Sequence, residues 1–456
     1  MKQSNLSQIS DDTLSILCKE YAKNNQIDPS LYEKFQVKRG LRNSDGTGVM
    51  AGLTRICTVH GYVVEDGERV PDDGKLFYRG HDVNDLIDGA IKDNRFGFEE
   101  TIWLLMFGKL PSSEELSNFC ELLAECRDLP ESFAEDMIMK APSPDIMNKL
   151  ARSVLALYSY DIKPDDLSLQ SLISQSLSLV ARMPSIMTHA YQVKRGNYYR
   201  QSMYFHPNNP YHTMAEFILS SLRSDCKFTD EEAKLLDLCL VLHAEHGGGN
   251  NSTFTTRVIS SSNTDTYAAI SAAIGSLKGP RHGGANIKVM EMLEYIKRGV
   301  KNPLDENQLH DYLVKIIRKQ AGDRSGLVYG MGHAVYTKTD PRAIILKKHA
   351  RELANRKGFG DDFTVLEMVE RLTPQIFEKA KGASKAICAN VDLYSGLVYK
   401  ALDIPKDLFT PIFAVARMPG WCAHRIEETL TGGRIIRPAY KSISPLSEYI
   451  SIDERR

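Results

Sequence analysis

No stretch of roughly 18 residues in this sequence is continuously apolar, which excludes a membrane-spanning helix. Eight cysteines are scattered at positions 18, 57, 120, 126, 226, 239, 388 and 422 without one Cys-x-x-Cys pair. Cys239 lies in the apolar run 235–242, where a thiol packs as a small hydrophobe. No disulfide framework is implied, and a reducing compartment fits. Charge excess is missing as well. The 57 Lys and Arg meet 58 Asp and Glu, so no broadly basic face is offered to nucleic acid. The densest basic runs, Lys38-Arg39-Gly40-Leu41-Arg42 and Lys194-Arg195, read as solvated edges. No Gly-Lys-Ser/Thr phosphate loop occurs, and Gly330-Met-Gly332 lacks the strand–turn–helix setting of a dinucleotide loop. No repeat of roughly 20–50 residues and no strand–helix alternation appears. The first residues carry Asp11, Asp12 and Glu20 but no apolar core segment and no Arg-rich stretch. The expectation is a soluble, cytoplasmic protein.

What is present is an average globular composition, 42% apolar and 25% charged, spread over 456 residues. That length exceeds one ordinary core and calls for two or three domains. Helical signals dominate, and the fold class expected is all-α. Helices are read at 12–25, 82–89, 98–107, 147–160, 167–191 (interrupted by Pro184), 265–274, 287–298, 306–321, 341–355, 361–377, 383–402 and 412–430. Gly108 stops the 98–107 run. Ser112 with Glu115, and Thr229 with Glu232, read as capping boxes that open two more helices, the second ending at His243-Ala-Glu-His246-Gly-Gly-Gly. The only β signal of note is early. It comprises 52–62, the turn residues Glu65-Asp66-Gly67 and Pro71-Asp72-Asp73-Gly74, and then 75–80, read as a two-stranded element with a long loop. Residues 432–440 look irregular.

The chemistry gathers around Gly279-Pro-Arg-His-Gly-Gly-Ala-Asn286. His282 sits between Pro-Arg and two glycines able to take positive φ, so the imidazole is presented rather than packed. A turn histidine facing solvent is the plain alternative. Three further stretches set a polar residue among small ones at a helix boundary: His246 before its glycines, Gly332-His333-Ala-Val leading to Asp340-Pro-Arg342, and Asn390-Val-Asp392. Arg417, inside Phe413-Ala-Val-Ala-Arg-Met-Pro-Gly420-Trp, and Arg437 complete the set. Imidazoles polarise a carbonyl or move a proton near neutral pH. A desolvated carboxylate abstracts a proton, and several arginines imply a di- or tricarboxylate. Together they point to carbon-acid chemistry on an anionic keto acid. The alternatives are structural. Arg417 could pair with Glu427 or Glu428, Asp392 could be a cap, and His243 with His246 could start a metal site, although no further ligands stand nearby. His189, His206, His349 and His424 lack such framing and read as structural or surface residues.

From about Gly52 to Tyr440 the sequence resembles the citrate synthase family, which includes 2-methylcitrate synthases. The resemblance runs through Lys75-Leu-Phe-Tyr-Arg-Gly, Phe98-Glu-Glu with Phe107-Gly-Lys-Leu-Pro111, and His206-Pro, and is most specific in Gly279–Asn286, Gly332-His-Ala-Val with Asp340-Pro-Arg342, and Asn390-Val-Asp392. It implies a multi-helical fold with a minor N-terminal β-hairpin. A large domain would comprise 1–282 and 403–456, and a small, mobile, CoA-binding domain 283–402. It implies a homodimer, acetyl-CoA and oxaloacetate as substrates, and no metal or other cofactor. Asp392 would be the base, His282 the enol stabiliser and His333 the polariser of the keto carbonyl. Oxaloacetate would be held by His246, Arg342, Arg417 and Phe413, with Arg437 reaching the partner's site. CoA would lie along Leu327, Val328, Gly330 and Asn390, with Lys338 and Arg42 near its phosphates. Glu245 stands where the family commonly has Asp, and Tyr336-Thr337 stand where it often has a basic residue. A catalytically inert relative is the reading from another class, and it is opposed by the presence of Asp392, both histidines and all three arginines.

Overall fold

The computed structural model describes residues 9–43, 46–65, 68–381 and 387–455. Two strands near the start, β1 (Cys57–Glu65) and β2 (Glu68–Tyr78), pair antiparallel from Cys57↔Tyr78 to Glu65↔Glu68, and a short β3 (His81–Asp82) adds a third strand. The sequence reading expected a loop at Pro71–Gly74, but those residues lie within β2. There the register shifts between His60 and Tyr62, and the turn-type residues are satisfied inside the bulge. Asp72 accepts from His60 Nε2 at 2.7 Å and Asp73 N–H at 2.8 Å, while Gly74 N–H donates to Thr339 Oγ1 at 2.9 Å. Asp66 and Gly67, assigned to the turn, fall outside the described residues.

Everything else of substance is helical, so the fold is all-α with a small N-terminal sheet. Local chemistry sets many boundaries. Gly108 (φ 80°) ends Phe98–Phe107, and the Ser112/Glu115 and Thr229/Glu232 capping boxes form as read. Packing overrides it elsewhere. Leu169–Lys194 runs unbroken through Pro184, because almost every side chain from Gln175 onward is buried and offsets the missing N–H. Thr266–Lys278 likewise continues through Gly275. The helix expected over 383–402 instead begins at Asp392 (Asp392–Ala401); residues 382–386 lie outside the described residues, 387–390 are not helical and carry a β-bridge at Ala389, and Val391 is the helical-region cap.

Two sets of helices share one continuous core. Phe409–Leu430 is the axis of the first, packing on Leu169–Lys194, Asn251–Ser260, Thr266–Lys278, Phe98–Phe107 and Asp230–His243. Trp421 is wholly buried at its middle. The second set comprises Ala285–Gly299, Glu306–Ile317, Pro341–Arg356, Gly360–Lys381 and Asp392–Ala401, packed on one another. The loops that carry His282, His333 and Asp392 lie at the ends of these elements. Among the described residues no helix is long and apolar enough to cross a membrane.

Candidate active site

His282 sits in the short turn between Thr266–Lys278 and Ala285–Gly299, where its N–H donates to Gly279 O at 2.9 Å. Gly283 does not use positive φ. It is needed because a Cβ there would lie 2.2 Å from the Leu277 carbonyl oxygen. The imidazole is half-buried, and its Nε2 accepts the backbone N–H of Ser252 at 3.2 Å. That N–H belongs to the first turn of Asn251–Ser260, where helical N–H groups have no intrahelical partner. Ser252 Oγ lies 2.8 Å from the same nitrogen and accepts from Trp421 Nε1 at 3.1 Å. With Nε2 an acceptor, the ring proton resides on Nδ1. Burial, with Arg417 adding its charge, lowers the His282 pKa to about 4, so the ring stays neutral.

His333 is fixed by its own turn. Val335 and Tyr336 N–H both donate to its Nδ1 at 3.1 Å, which puts the proton on Nε2. Burial and then Arg342 lower its pKa to about 4. Its loop is tied to the one carrying Asp392. Met331 and Ala389 form an antiparallel bridge, Gly332 N–H donates to Cys388 O at 2.7 Å, and Asn390 N–H donates to Gly330 O at 2.9 Å. Gly330, at φ 80°, lets the Leu393 Cα come within 2.8 Å of where a Cβ would be. The Asn390 amide clamps both loops, donating to Gly332 O at 2.9 Å and accepting Asp392 N–H at 3.0 Å. Asp392 opens its helix, and none of the described residues hydrogen-bonds its carboxylate. Desolvation raises its pKa from 3.8 to about 6 against the pull of Arg342 and Arg417.

Two buried arginines link these groups. Arg342 donates to Asp340 through Nε (3.0 Å) and NH2 (2.7 Å), which leaves NH1 for a further anion. Arg417 donates through Nε to His243 O at 2.6 Å, and its guanidinium lies 4.8 Å from the Phe413 ring centroid. Glu427 and Glu428 are not its partners, since both are taken by Arg257. The charge of Arg417 is felt at His282, His246 and Asp392, and that of Arg342 at His333, His246 and Asp392. The His246 and His333 rings meet at 5.0 Å, and burial holds His246 neutral. The site is therefore a set of neutral imidazoles and one basic carboxylate around two guanidiniums. It suits proton abstraction from one substrate and anion binding of another.

The family model for "Citrate synthase, C-terminal domain" matches residues 43–439. A citrate synthase of Haloferax volcanii is 33% identical over 427 residues, covering 92% of this chain and 99% of the relative.

The chain belongs to the citrate synthase family.

Citrate synthase 2 of Bacillus subtilis is 32% identical, covering 84% of this chain and 94% of its own. The Thermotoga maritima citrate synthase structure superposes with a TM-score of 0.71 at 29% identity, covering 92% of this chain and 99% of that one. A ternary complex of Thermoplasma acidophilum citrate synthase with carboxymethyl coenzyme A and oxaloacetate gives 0.73 at 26%, with the same coverage. This chain, like those relatives, is an enzyme.

Not every assigned residue joins the cluster. Arg437 is exposed in the irregular 433–451 stretch and stays out of its own chain's site; the neighbouring Ile436 N–H donates to Ser261 Oγ at 3.0 Å. Lys338 is exposed, 4.0 Å from Asp73. Arg42 donates to Gly46 O at 2.9 Å yet lies close enough for its charge to reach His333. Leu327 is exposed, while Val328 and Gly330 are buried. Sequence reasoning missed Ser252, Trp421 and Asp340 as supports, although Asn250-Asn-Ser252 directly follows the glycines after His246. It also left His424 as structural or surface. That ring is wholly buried, with Nε2 3.0 Å from Glu245 Oε1 and Nδ1 accepting from Arg257. Among the described residues no group of three or more His, Cys, Asp and Glu side chains is placed to hold a metal ion.

Proposed function

We propose that this chain is a citrate synthase, condensing acetyl-CoA with oxaloacetate and hydrolysing the citryl-CoA formed. The observation that carries this is the pairing of the His333 and Asp392 loops beside Arg342 and Arg417, with a neutral His282 whose Nδ1–H is free to donate. Asp392 removes a proton from the thioester methyl group. His282 Nδ1–H donates to the developing enolate oxygen, and His333 Nε2–H donates to the oxaloacetate keto oxygen. The methyl carbon bonds to the keto carbon, and the resulting alkoxide takes the His333 proton. Water then attacks the thioester, and CoA leaves as its thiol. Each proton-transfer group contributes about 10²–10⁴-fold.

Arg342, Arg417, His246 and Phe413 hold the oxaloacetate carboxylates. Arg437 adds a third cation from the partner of a homodimer, in keeping with its exposure away from its own site. CoA runs along Leu327, Val328 and Gly330 beside Asn390, with Lys338 and Arg42 toward its phosphates. The second helix set acts as the small domain, 283–402, and closes over the first to exclude water. No cofactor is required, and the chemistry suits a cytoplasmic enzyme. Release of free thiol from acetyl-CoA, followed with and without oxaloacetate, tests the reading. The expected result is release only with oxaloacetate. Equal release without it, or a higher kcat/KM for propionyl-CoA, overturns it, the latter in favour of a 2-methylcitrate synthase. One methylene is worth only ~1–3 kcal/mol to an apolar pocket.

A further inference from the structure

The scheme above gives no task to Tyr336, which is only 1% exposed and lies three residues past His333. Its N–H donates to His333 Nδ1, and its ring then folds over that imidazole, with centroids 4.6 Å apart and planes 28° from parallel. The hydroxyl oxygen stands 3.3 Å from His246 Nε2, and the two rings meet edge-on at 5.5 Å and 72°. The Arg342 guanidinium carbon lies 5.9 Å from the phenol centroid. Behind the ring, two glycines of the hairpin keep the space open. A Cβ on Gly74 would fall 2.8 Å from Tyr336 Cδ1, and one on Gly61 3.2 Å from it.

A buried phenol needs a hydrogen-bond partner for its oxygen. Among the described residues that partner is His246. His246 and His333 come from distant parts of the chain, and the Tyr336 side chain touches both. An aliphatic residue would fill the gap between hairpin and imidazole equally well but would leave His246 Nε2 without this contact. We propose that Tyr336 is a positioning residue for the keto-acid subsite, its hydroxyl fixing the tautomer and tilt of His246 while its ring fixes the plane of His333. The kinetic half of this inference rests on the function proposed above; the spectroscopic half does not.

Tyr336→Phe keeps the ring and removes the hydroxyl. Its KM for oxaloacetate should rise about tenfold, the worth of one hydrogen bond, with kcat and the acetyl-CoA KM within about twofold of the parent. Tyr336→Leu removes the ring too, and its kcat should fall by about a further tenfold. Independently, nitrogen NMR of histidine-labelled, substrate-free enzyme, with His246 assigned through His246→Asn, should show one fixed tautomer in the parent and a shifted, averaged signal in Tyr336→Phe. An unchanged His246 signal in Tyr336→Phe overturns the proposal whatever the kinetics. So does a parental oxaloacetate KM, or a lowered melting temperature in both variants with kinetic constants intact, which would make Tyr336 a space-filler. If the parent releases no thiol, the functional reading fails, and the NMR comparison alone decides Tyr336.

Discussion

His282 takes its backbone hydrogen bond from Ser252, 30 residues away, whereas His333 takes both of its own from the next turn of the same loop. Both rings end neutral with one nitrogen occupied and the other bearing a proton, yet the supports differ. His282 is held by a helix N-terminus backed by a buried tryptophan. His333 is held locally, and its loop is then pressed into place by the hairpin, through Gly61 and Gly74, and tied to Asp392 through the 331–389 bridge. One imidazole therefore depends on the first helix set. The other is coupled to the base and to the acceptor site, so damage on the two sides should separate kinetically.

The largest effect should come from the residue that both sides serve. Asp392→Asn should lower kcat by about 10²–10⁴-fold and leave oxaloacetate binding nearly intact. Full turnover in this variant, measured by thiol release, would remove Asp392 as the base. In the parent, kcat/KM should fall as pH drops through about 6, because protonation of Asp392 removes the base while His282 and His333, at about 4, are still neutral. An acid limb near 4 would place control on a histidine instead.

Next come the two glycines that flank the comparison. A Cβ at Gly74 would lie 2.0 Å from the Thr339 carbonyl oxygen, and one at Gly283 2.2 Å from that of Leu277. Each alanine variant should lose about 1–3 kcal/mol of stability by overpacking. Gly74→Ala displaces the loop of His333 and should raise the oxaloacetate KM. Gly283→Ala displaces His282 and should slow exchange of the acetyl-CoA methyl protons. Identical kinetic changes in the two variants would show that the supports are not separate.

How much of this the sequence disclosed follows the same division. Where the signal is local it was readable: Gly108, the two capping boxes, and the glycine-framed His282, His333 and Asp392 all stand as polar residues or turns at helix ends. Where the cause is a distant partner it was not. Pro71–Gly74 carries turn chemistry but sits inside a strand, because its amide is claimed by Thr339. Pro184 does not break its helix, because burial on nearly every side outweighs one lost hydrogen bond. His424 looked ordinary, because the Glu245 and Arg257 that bind it lie 179 and 167 residues away. Ser252 was invisible for the same reason, since its N–H and its hydroxyl meet an imidazole 30 residues away, and the N–H is one that any residue but proline supplies.

A smaller effect is expected at Ser252. Ser252→Ala keeps the N–H that sets the His282 tautomer and loses the hydroxyl that lies 2.8 Å from His282 Nε2 and accepts from Trp421, so kcat should fall by no more than about tenfold, the worth of one hydrogen bond. A loss as large as that of Asp392→Asn would shift the support from the main chain to the hydroxyl.

The subtlest effect is on stability against acid, where the histidines and the aspartate oppose each other. Burial lowers His243 from 6.5 to about 3, so the unfolded chain binds its proton first; the stability this group contributes is complete above 6.5 and declines as pH falls toward 3. Asp392 is raised from 3.8 to about 6, so the folded chain protonates first, and stability is regained as pH falls between those values. His282, His333 and His246 share the direction of His243, so the net expectation is lower stability from pH 6.5 toward 4, with each such histidine adding up to about 1.4 kcal/mol per pH unit. Denaturant unfolding across that window should show His243→Asn with a shallower slope than the parent and Asp392→Asn with a steeper one. A slope unchanged in both would mean that neither group differs in proton affinity between the folded and unfolded chain, which would undercut the dry, preorganised site on which the chemistry depends.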